Sequence, residues 1–337
     1  MFKNAKIIGD GIAYSDYARQ PDGVKKGDPR FVMSRGGLVK LITKCPKIWL
    51  ESEDDEKKSD ALKNGSLIDT MVLQLEKFDD LYTLTPATYQ NSKGETADWT
   101  LKSTTCRDWV AAREADGVTV ISQEQLDTAE KAVGILFKDP MIAEFIACSK
   151  KQVMVTAEYH DSDTGVIIPV RVLTDLVPDH KHPRYGRSLG DLKTSRDASP
   201  YSWEDAVYDN QYCDQAWLNL AVHQAATPDI ERSEFRHLIQ ENKAPWITAR
   251  RLISLEFIEI GKARMLAALK LYAQCLKHKF FPDFEIERDT INGWTTTNPR
   301  SWMSSQFFEK HVVFPQEVAE QEEQKRKNPE MNFDTQP

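Results

Sequence analysis

No stretch of this sequence is apolar for the roughly 20 residues that a membrane crossing needs. The opening Met1-Phe2-Lys3-Asn4 lacks the apolar core of a secretion signal, so a cytoplasmic protein is expected. Cysteine is sparse: Cys45, Cys106, Cys148, Cys213 and Cys275 are far apart and odd in number. No two have metal-ligand spacing, which argues against a structural zinc or a four-cysteine iron–sulfur cluster and for reduced thiols. The Walker A pattern is absent, and no internal repeat occurs. Positive charge is in deficit, with 44 Lys and Arg against 52 Asp and Glu, a net charge of −8 over 337 residues. A phosphate-binding surface must then come from local distribution rather than total charge.

That distribution is uneven. Acid gathers in Glu51-Ser52-Glu53-Asp54-Asp55-Glu56 and around Glu317 to Glu323. Basic residues gather at His180, Lys181, His182, Arg184 and Arg187. His180 and His182 have no second pair of soft ligands nearby, so this loop reads as a phosphate contact or as plain solvated surface rather than zinc.

Residues 1–33 show little periodicity and are expected to be irregular. Residues 34–315 read as one domain, mainly helical over 34–150 with a core over 151–285, and 316–337 as a disordered tail. Ser34 suits a helix cap before Leu38, Leu41 and Ile42. Leu67, Ile68, Met71, Val72 and Leu75 recur at helical spacing within 59–75, and residues 123–147 look helical with a break at Pro140. The period then changes. Val153, Val155 and Ala157 alternate with polar residues, Asp161 to Gly165 reads as a hairpin turn, and 166–177 and 188–194 read as further strands. A long helix is expected over 201–225, strands over 235–240 and 247–258, and a helix over 260–279. The order gives an α/β fold with a small mixed sheet flanked by helices and a helical N-terminal elaboration.

Gly190-Asp191-Leu192-Lys193-Thr194 carries the chemistry. In an extended strand Asp191 and Lys193 point to the same face. Asp175 ends the apolar run before it. Two acids and a lysine on neighbouring strands can hold a divalent cation on a phosphodiester and place a positive charge near the attacking water. The plain alternative is an Asp191–Lys193 ion pair. Glu158, on the preceding strand, reads as a metal ligand or an exposed strand residue. Asp69 reads as a half-exposed helical acid or as a further carboxylate. Gln215 and Tyr212 suit water and backbone contacts on the next helix, though Tyr212 also fits a core aromatic.

Glu158 in Thr156-Ala157-Glu158-Tyr159, Asp175, Asp191-Leu192-Lys193-Thr194, Gln211-Tyr212-Cys213-Asp214-Gln215 and Gln240-Glu241-Asn242-Lys243-Ala244-Pro245 together resemble the PD-(D/E)XK nuclease superfamily. Within its RecB-like branch the chain is similar to the RecE-type (exonuclease VIII-like) recombination exonucleases of phages and mobile elements, from about residue 30 to 285. Two positions depart: Asp69 stands where the family usually has a metal-binding histidine, and Asn219 where it often has a tyrosine.

The resemblance implies a PD-(D/E)XK core and an exodeoxyribonuclease, independent of ATP, degrading linear double-stranded DNA from 5′ to 3′. It implies Mg²⁺, with Mn²⁺ as substitute, held by Asp175, Asp191 and the Leu192 carbonyl, with Asp69 and Glu158 serving a second ion or its waters. Lys193 would position and deprotonate water, helped by Gln215. Tyr212, Thr194, Ser34, Arg35 and Arg184 would contact DNA. A ring-shaped homo-oligomer and a single-strand annealing protein (RecT/Bet-like) are the implied partners. An endonuclease on the same core and a catalytically degenerate DNA-binding protein are the competing readings.

Overall fold

The computed structural model describes residues 2–52 and 60–284, with the short antiparallel strands Thr290–Ile291 and Trp294–Thr295. The chain divides into two compact units, Met1–Asp283 and Phe284–Pro337. The expectations for residues 53–56, Trp302, Phe314 and the 316–337 tail lie outside the described residues.

Six strands form the central sheet of the first unit: β1 Phe2–Gly9, β2 Ser149–His160, β3 Ile167–Pro178, β4 Ser188–Ser195, β5 Glu234–Glu241 and β6 Thr248–Leu252. They lie in that spatial order. Every neighbouring pair is antiparallel except β4 and β5, which run parallel. A parallel pair needs a crossover. Two helices supply it here, α5 Pro200–Asp209 and α6 Tyr212–Ala226.

Helices cover both faces. On one, α1 Arg35–Thr43, α6 and α7 Leu255–His278 pack Leu38, Leu218, Met265 and Leu269 onto Val155, Val170 and Val172. On the other, α2 Asp60–Leu73, α3 Gln123–Leu136 and α4 Pro140–Ala147 pack Leu67, Leu136 and Ile142 onto Leu176, Leu192 and Leu238. The caps follow the sequence. Ser34 accepts from the Gly37 N–H, and Pro140 opens α4 behind an Asp139 cap. The result is the expected mixed α/β core. The N-terminal part also holds the helix Thr104–Ala115, a parallel strand pair Tyr82–Leu84 with Thr119–Ile121 and a hairpin Thr88–Gln90 with Thr96–Asp98.

Three expectations need correction. Residues 1–33 are not irregular throughout, because Phe2–Gly9 pairs with β2 and Phe2 packs on Tyr159 and Trp217. The helix expected over 201–225 breaks at Gln211, which takes φ 53°. Arg35 secures that break by donating to the Asn210 and Gln211 carbonyls. The strand expected over 247–258 stops at Leu252, because Ser254 caps α7 by accepting from the Phe257 N–H.

Five free cysteines are consistent with reduced thiols, all buried but Cys148, which is half-buried. No helix among the described residues is long and apolar enough to cross a membrane.

His223 on α6 is buried against Thr174 Oγ1 at 3.0 Å, and burial beside Arg232 holds its imidazole down to about 4. Its folded value lies below the unfolded one of about 6.5. Its contribution is therefore complete above pH 6.5 and is lost as pH falls towards 4. Asp69, pushed up to about 7 chiefly by burial, acts in the opposite direction over the same window. The His223 effect is thus read as a difference. Urea unfolding in EDTA should show the wild type losing about 1.4 kcal/mol per pH unit below 6.5 relative to His223→Gln. Parallel curves would refute it.

Candidate active site

The site forms where β3 and β4 separate. Their ladder holds one Cα partner pair, Leu176 with Gly190. Beyond it, the Asp175 side chain takes the place of a main-chain partner: its Oδ2 accepts from the Leu192 N–H at 3.0 Å. Its other oxygen accepts from Gln152 Nε2 at 3.1 Å.

Gln152 takes φ 51°, a left-handed conformation uncommon outside glycine. The two strands change face there. Ile168, Val170 and Val172 lie in the α6-side core and Thr174 bonds His223 of α6, but Leu176 lies in the opposite core and Val177 returns to the first. On β2, Val153 and Val155 face α6, whereas the Lys151 ammonium reaches the Val72 carbonyl of α2. Asp175 stands at this switch in facing.

Asp191 is 1% exposed. Its Oδ1 accepts from Gln215 Nε2 at 2.5 Å, and its Oδ2 pairs with the Lys193 ammonium. The Lys193 ammonium also lies 4.9 Å from the centre of the Tyr212 ring. Tyr212 stacks on Trp203 at 5.6 Å. The helix break at Gln211 starts a new helix, which brings Tyr212 and Gln215 over β4.

Charge is finely divided. Burial works to raise Asp191, but Lys193 and His237 outweigh it and hold the carboxyl below its usual value. Burial works to lower Lys193, but Asp191 and Asp175 keep it above its usual value. Asp175 is pushed well up by burial and then by Asp191. Asp69 is pushed up to about 7 by burial, with Asp191 adding and Lys193 opposing. Three acids therefore sit within electrostatic reach of one another around one lysine. Gly65 lets α2 carry Asp69 this close, since a Cβ there would meet Thr194 Oγ1 at 2.9 Å.

Among the described residues, no group of three or more His, Cys, Asp and Glu is arranged so that it could hold a metal ion by itself. Magnesium is usually held by one or two carboxylates plus substrate phosphates rather than by an all-protein cage. Asp175 and Asp191 form an open, all-oxygen pair, and a cation would offset the Asp191 charge that adds to burial in raising Asp175. The donor set fits a hard divalent ion.

Other expectations fail on position. Glu158 does not reach the site. Its register partner is Pro169, and it accepts from Asn4 Nδ2 at 2.7 Å and bonds the His160 ring at 3.1 Å. Six residues of strand, about 20 Å, separate it from Gln152, which occupies the place opposite Asp175. Arg184 is tied to Glu144 Oε2 at 2.6 Å on α4, and His182 and Arg187 also face acids, Glu144 and Glu231. Ser34 is a helix cap, and Arg35 is spent on the α5–α6 break. Asn219 is buried on α6. Thr194 stays beside the site against Gly65.

Sequence reasoning passed over Gln152, His237 and the Asp214–Arg264 pair. His237 is fully buried, is the register partner of Asp191 and stands edge-on to Trp203 and Tyr212. Buried Asp214 accepts from Arg264 Nε at 2.9 Å, which ties α6 to α7. A polar alternation breaking at Gln152 was the only available signal.

No protein-family model matches the chain, and no curated protein matches it. Solved structures do. A protein of Eubacterium rectale, named provisionally as an exonuclease, aligns at a TM-score of 0.51 and 15% identity, over 90% of this chain and 100% of its own. An alkaline exonuclease of Laribacter hongkongensis aligns at 0.23 and 11% identity, over 53% of this chain and 86% of its own, too weakly to carry an argument. The fold is thus shared with a protein named as an exonuclease.

Proposed function

We propose that this chain is a metal-dependent, ATP-independent exodeoxyribonuclease. It degrades linear double-stranded DNA from 5′ to 3′ and leaves 3′ single-stranded tails for recombination by strand annealing. The observation that carries the reading is the convergence of Asp175, Asp191 and Lys193 where β3 and β4 part, with Asp69 behind them.

Asp175, Asp191 and the Leu192 carbonyl would hold the ion, Mg²⁺ or Mn²⁺. Such an ion supplies charge on the phosphate and a more acidic water. Lys193, ion-paired and protonated, offsets charge that develops on the phosphate oxygens and orients the water; held this way it is not a base. Gln215 fixes the Asp191 carboxylate. Tyr212 limits where the ammonium can sit. The same reading takes in a ring-shaped homo-oligomer and a single-strand annealing protein (RecT/Bet-like) as partners.

The test is digestion of a linear duplex labelled at one 5′ or one 3′ end, beside a closed circle, with Mg²⁺ and no ATP. Early loss of the 5′ label, an intact circle and no digestion in EDTA are expected. A cut circle would replace the exonuclease with an endonuclease. Glu158→Gln should digest the linear duplex within about twofold of wild type, because its bonds to Asn4 and His160 lie away from the site. A loss on the order of 100-fold would return Glu158 to the machinery.

A further inference from the structure

A cavity of about 300 Å³ lies between α2, α3 and the β5–β6 hairpin. Leu67, Ile68, Ala129 and Ala132 form its apolar wall, Glu124, Gln125 and Thr128 of α3 add a polar side, and Asn242 and Trp246 close it from the hairpin. Two polar atoms on that hairpin are buried and bond to no protein group among the described residues: the indole Nε1 of Trp246 and the amide Oδ1 of Asn242. Leaving both unsatisfied is costly, so such pairs mark a place where something else bonds.

The hairpin is held for this. Trp246 takes φ 55°, a strained value for a bulky residue. Gln240 Nε2 donates to the Trp246 carbonyl at 3.1 Å, and the Trp246 N–H donates to the Lys243 carbonyl at 2.7 Å. The Asn242 N–H donates to the Ser195 carbonyl at 2.9 Å, which joins the hairpin to the end of β4. Ser195 lies four residues beyond Asp191, about 13 Å along the strand. Ile68 immediately precedes Asp69 on α2.

We propose that this cavity takes one unstacked nucleobase of the strand being cleaved, a nucleotide or two from the phosphate at Asp191. The proposal rests on the nuclease reading. A base offers a flat apolar face to the aliphatic wall and to the indole, and a polar edge to Trp246 and Asn242. Asn242 can turn its amide to present a donor or an acceptor, so the cavity accepts more than one base. Holding a base there draws the strand off its complement, which an enzyme that spares the second strand requires.

The experiment is an abasic scan. A linear duplex with a short 5′ overhang carries one abasic site, moved one nucleotide at a time, and its affinity for the full chain is measured in Ca²⁺. Wild type should lose on the order of tenfold in affinity at one position and little elsewhere. In Trp246→Phe, which keeps an aromatic ring but removes the N–H and part of the stacking face, that dip should shrink at least severalfold. Asn242→Ala gives an independent second variant, and thermal melting confirms that each is folded. A flat wild-type profile, or a dip that neither variant changes, overturns the proposal. Digestion of the unmodified duplex in Mg²⁺ is run in parallel. Digestion with a flat scan refutes the base pocket alone, whereas neither digestion nor binding refutes the nuclease reading itself.

Discussion

Asp191→Asn should abolish DNA digestion, by on the order of 10³-fold or more, while the protein stays folded and still binds a linear duplex in Ca²⁺. The asparagine keeps an oxygen for the Gln215 amide and loses the charge that faces Lys193 and that would face a bound ion. Asp191→Ala should do more damage. It removes the partner of a lysine whose side chain is only 18% exposed, and an uncompensated charge so placed costs roughly 3–5 kcal/mol. Adding Lys193→Met to Asp191→Ala should recover much of that stability and none of the activity. This separates the two roles of the pair, since the ion pair anticipated as a mere alternative is present and the charge is still needed for chemistry. Urea midpoints and single-turnover digestion on the three variants decide it. Unchanged digestion by Asp191→Asn would end the assignment.

A loss of stability of backbone origin is expected at Gly261→Ala. A Cβ at Gly261 of α7 would stand 2.1 Å from the Cys213 carbonyl oxygen and 2.5 Å from its carbon. Both obstacles are backbone, so no side-chain rotation relieves the clash. Overpacking costs about 1–3 kcal/mol, and a backbone clash puts this case at the upper end. The damage would reach the site, because α6 carries Tyr212, Gln215 and the Asp214 that binds Arg264. Pushing α6 from α7 moves Gln215 off Asp191. The expected result is a fall in thermal midpoint of several degrees together with weaker digestion below it. Ala268→Gly, a cavity-type change on the same buried helix face, should destabilise without displacing α6. A Gly261→Ala protein as stable as wild type would show that the two helices are not held this close.

What could be read from the sequence was local. Alternation marked β2, β3 and β4, Ser34 marked a helix start and Pro140 a helix break, because capping chemistry and proline both act within a turn. The convergence of Asp175, Asp191, Lys193 and Gln215 followed from short strands and one helix. What escaped depends on distant partners. Nothing near Asn210 foretells a break, because Arg35 secures it from the other end of the chain. Glu158 was misplaced because alternation tells which face a residue takes and says nothing of how far along the strand it sits. Even the face failed at Asp175, where Gln152 reverses the pattern. Phe2–Gly9 was missed because an edge strand rich in lysine and asparagine looks like loop.

The one-pair ladder between β3 and β4 has a mechanical meaning. The sheet is two stiff panels, β1-β2-β3 and β4-β5-β6, stitched along a short seam. Asp175 belongs to one panel and Asp191 to the other, so an ion bound by both would act as a rivet across the line where the sheet is weakest. Amide exchange at Leu192, whose N–H rests on Asp175 alone across that seam, would report how far loading the site stiffens the whole sheet.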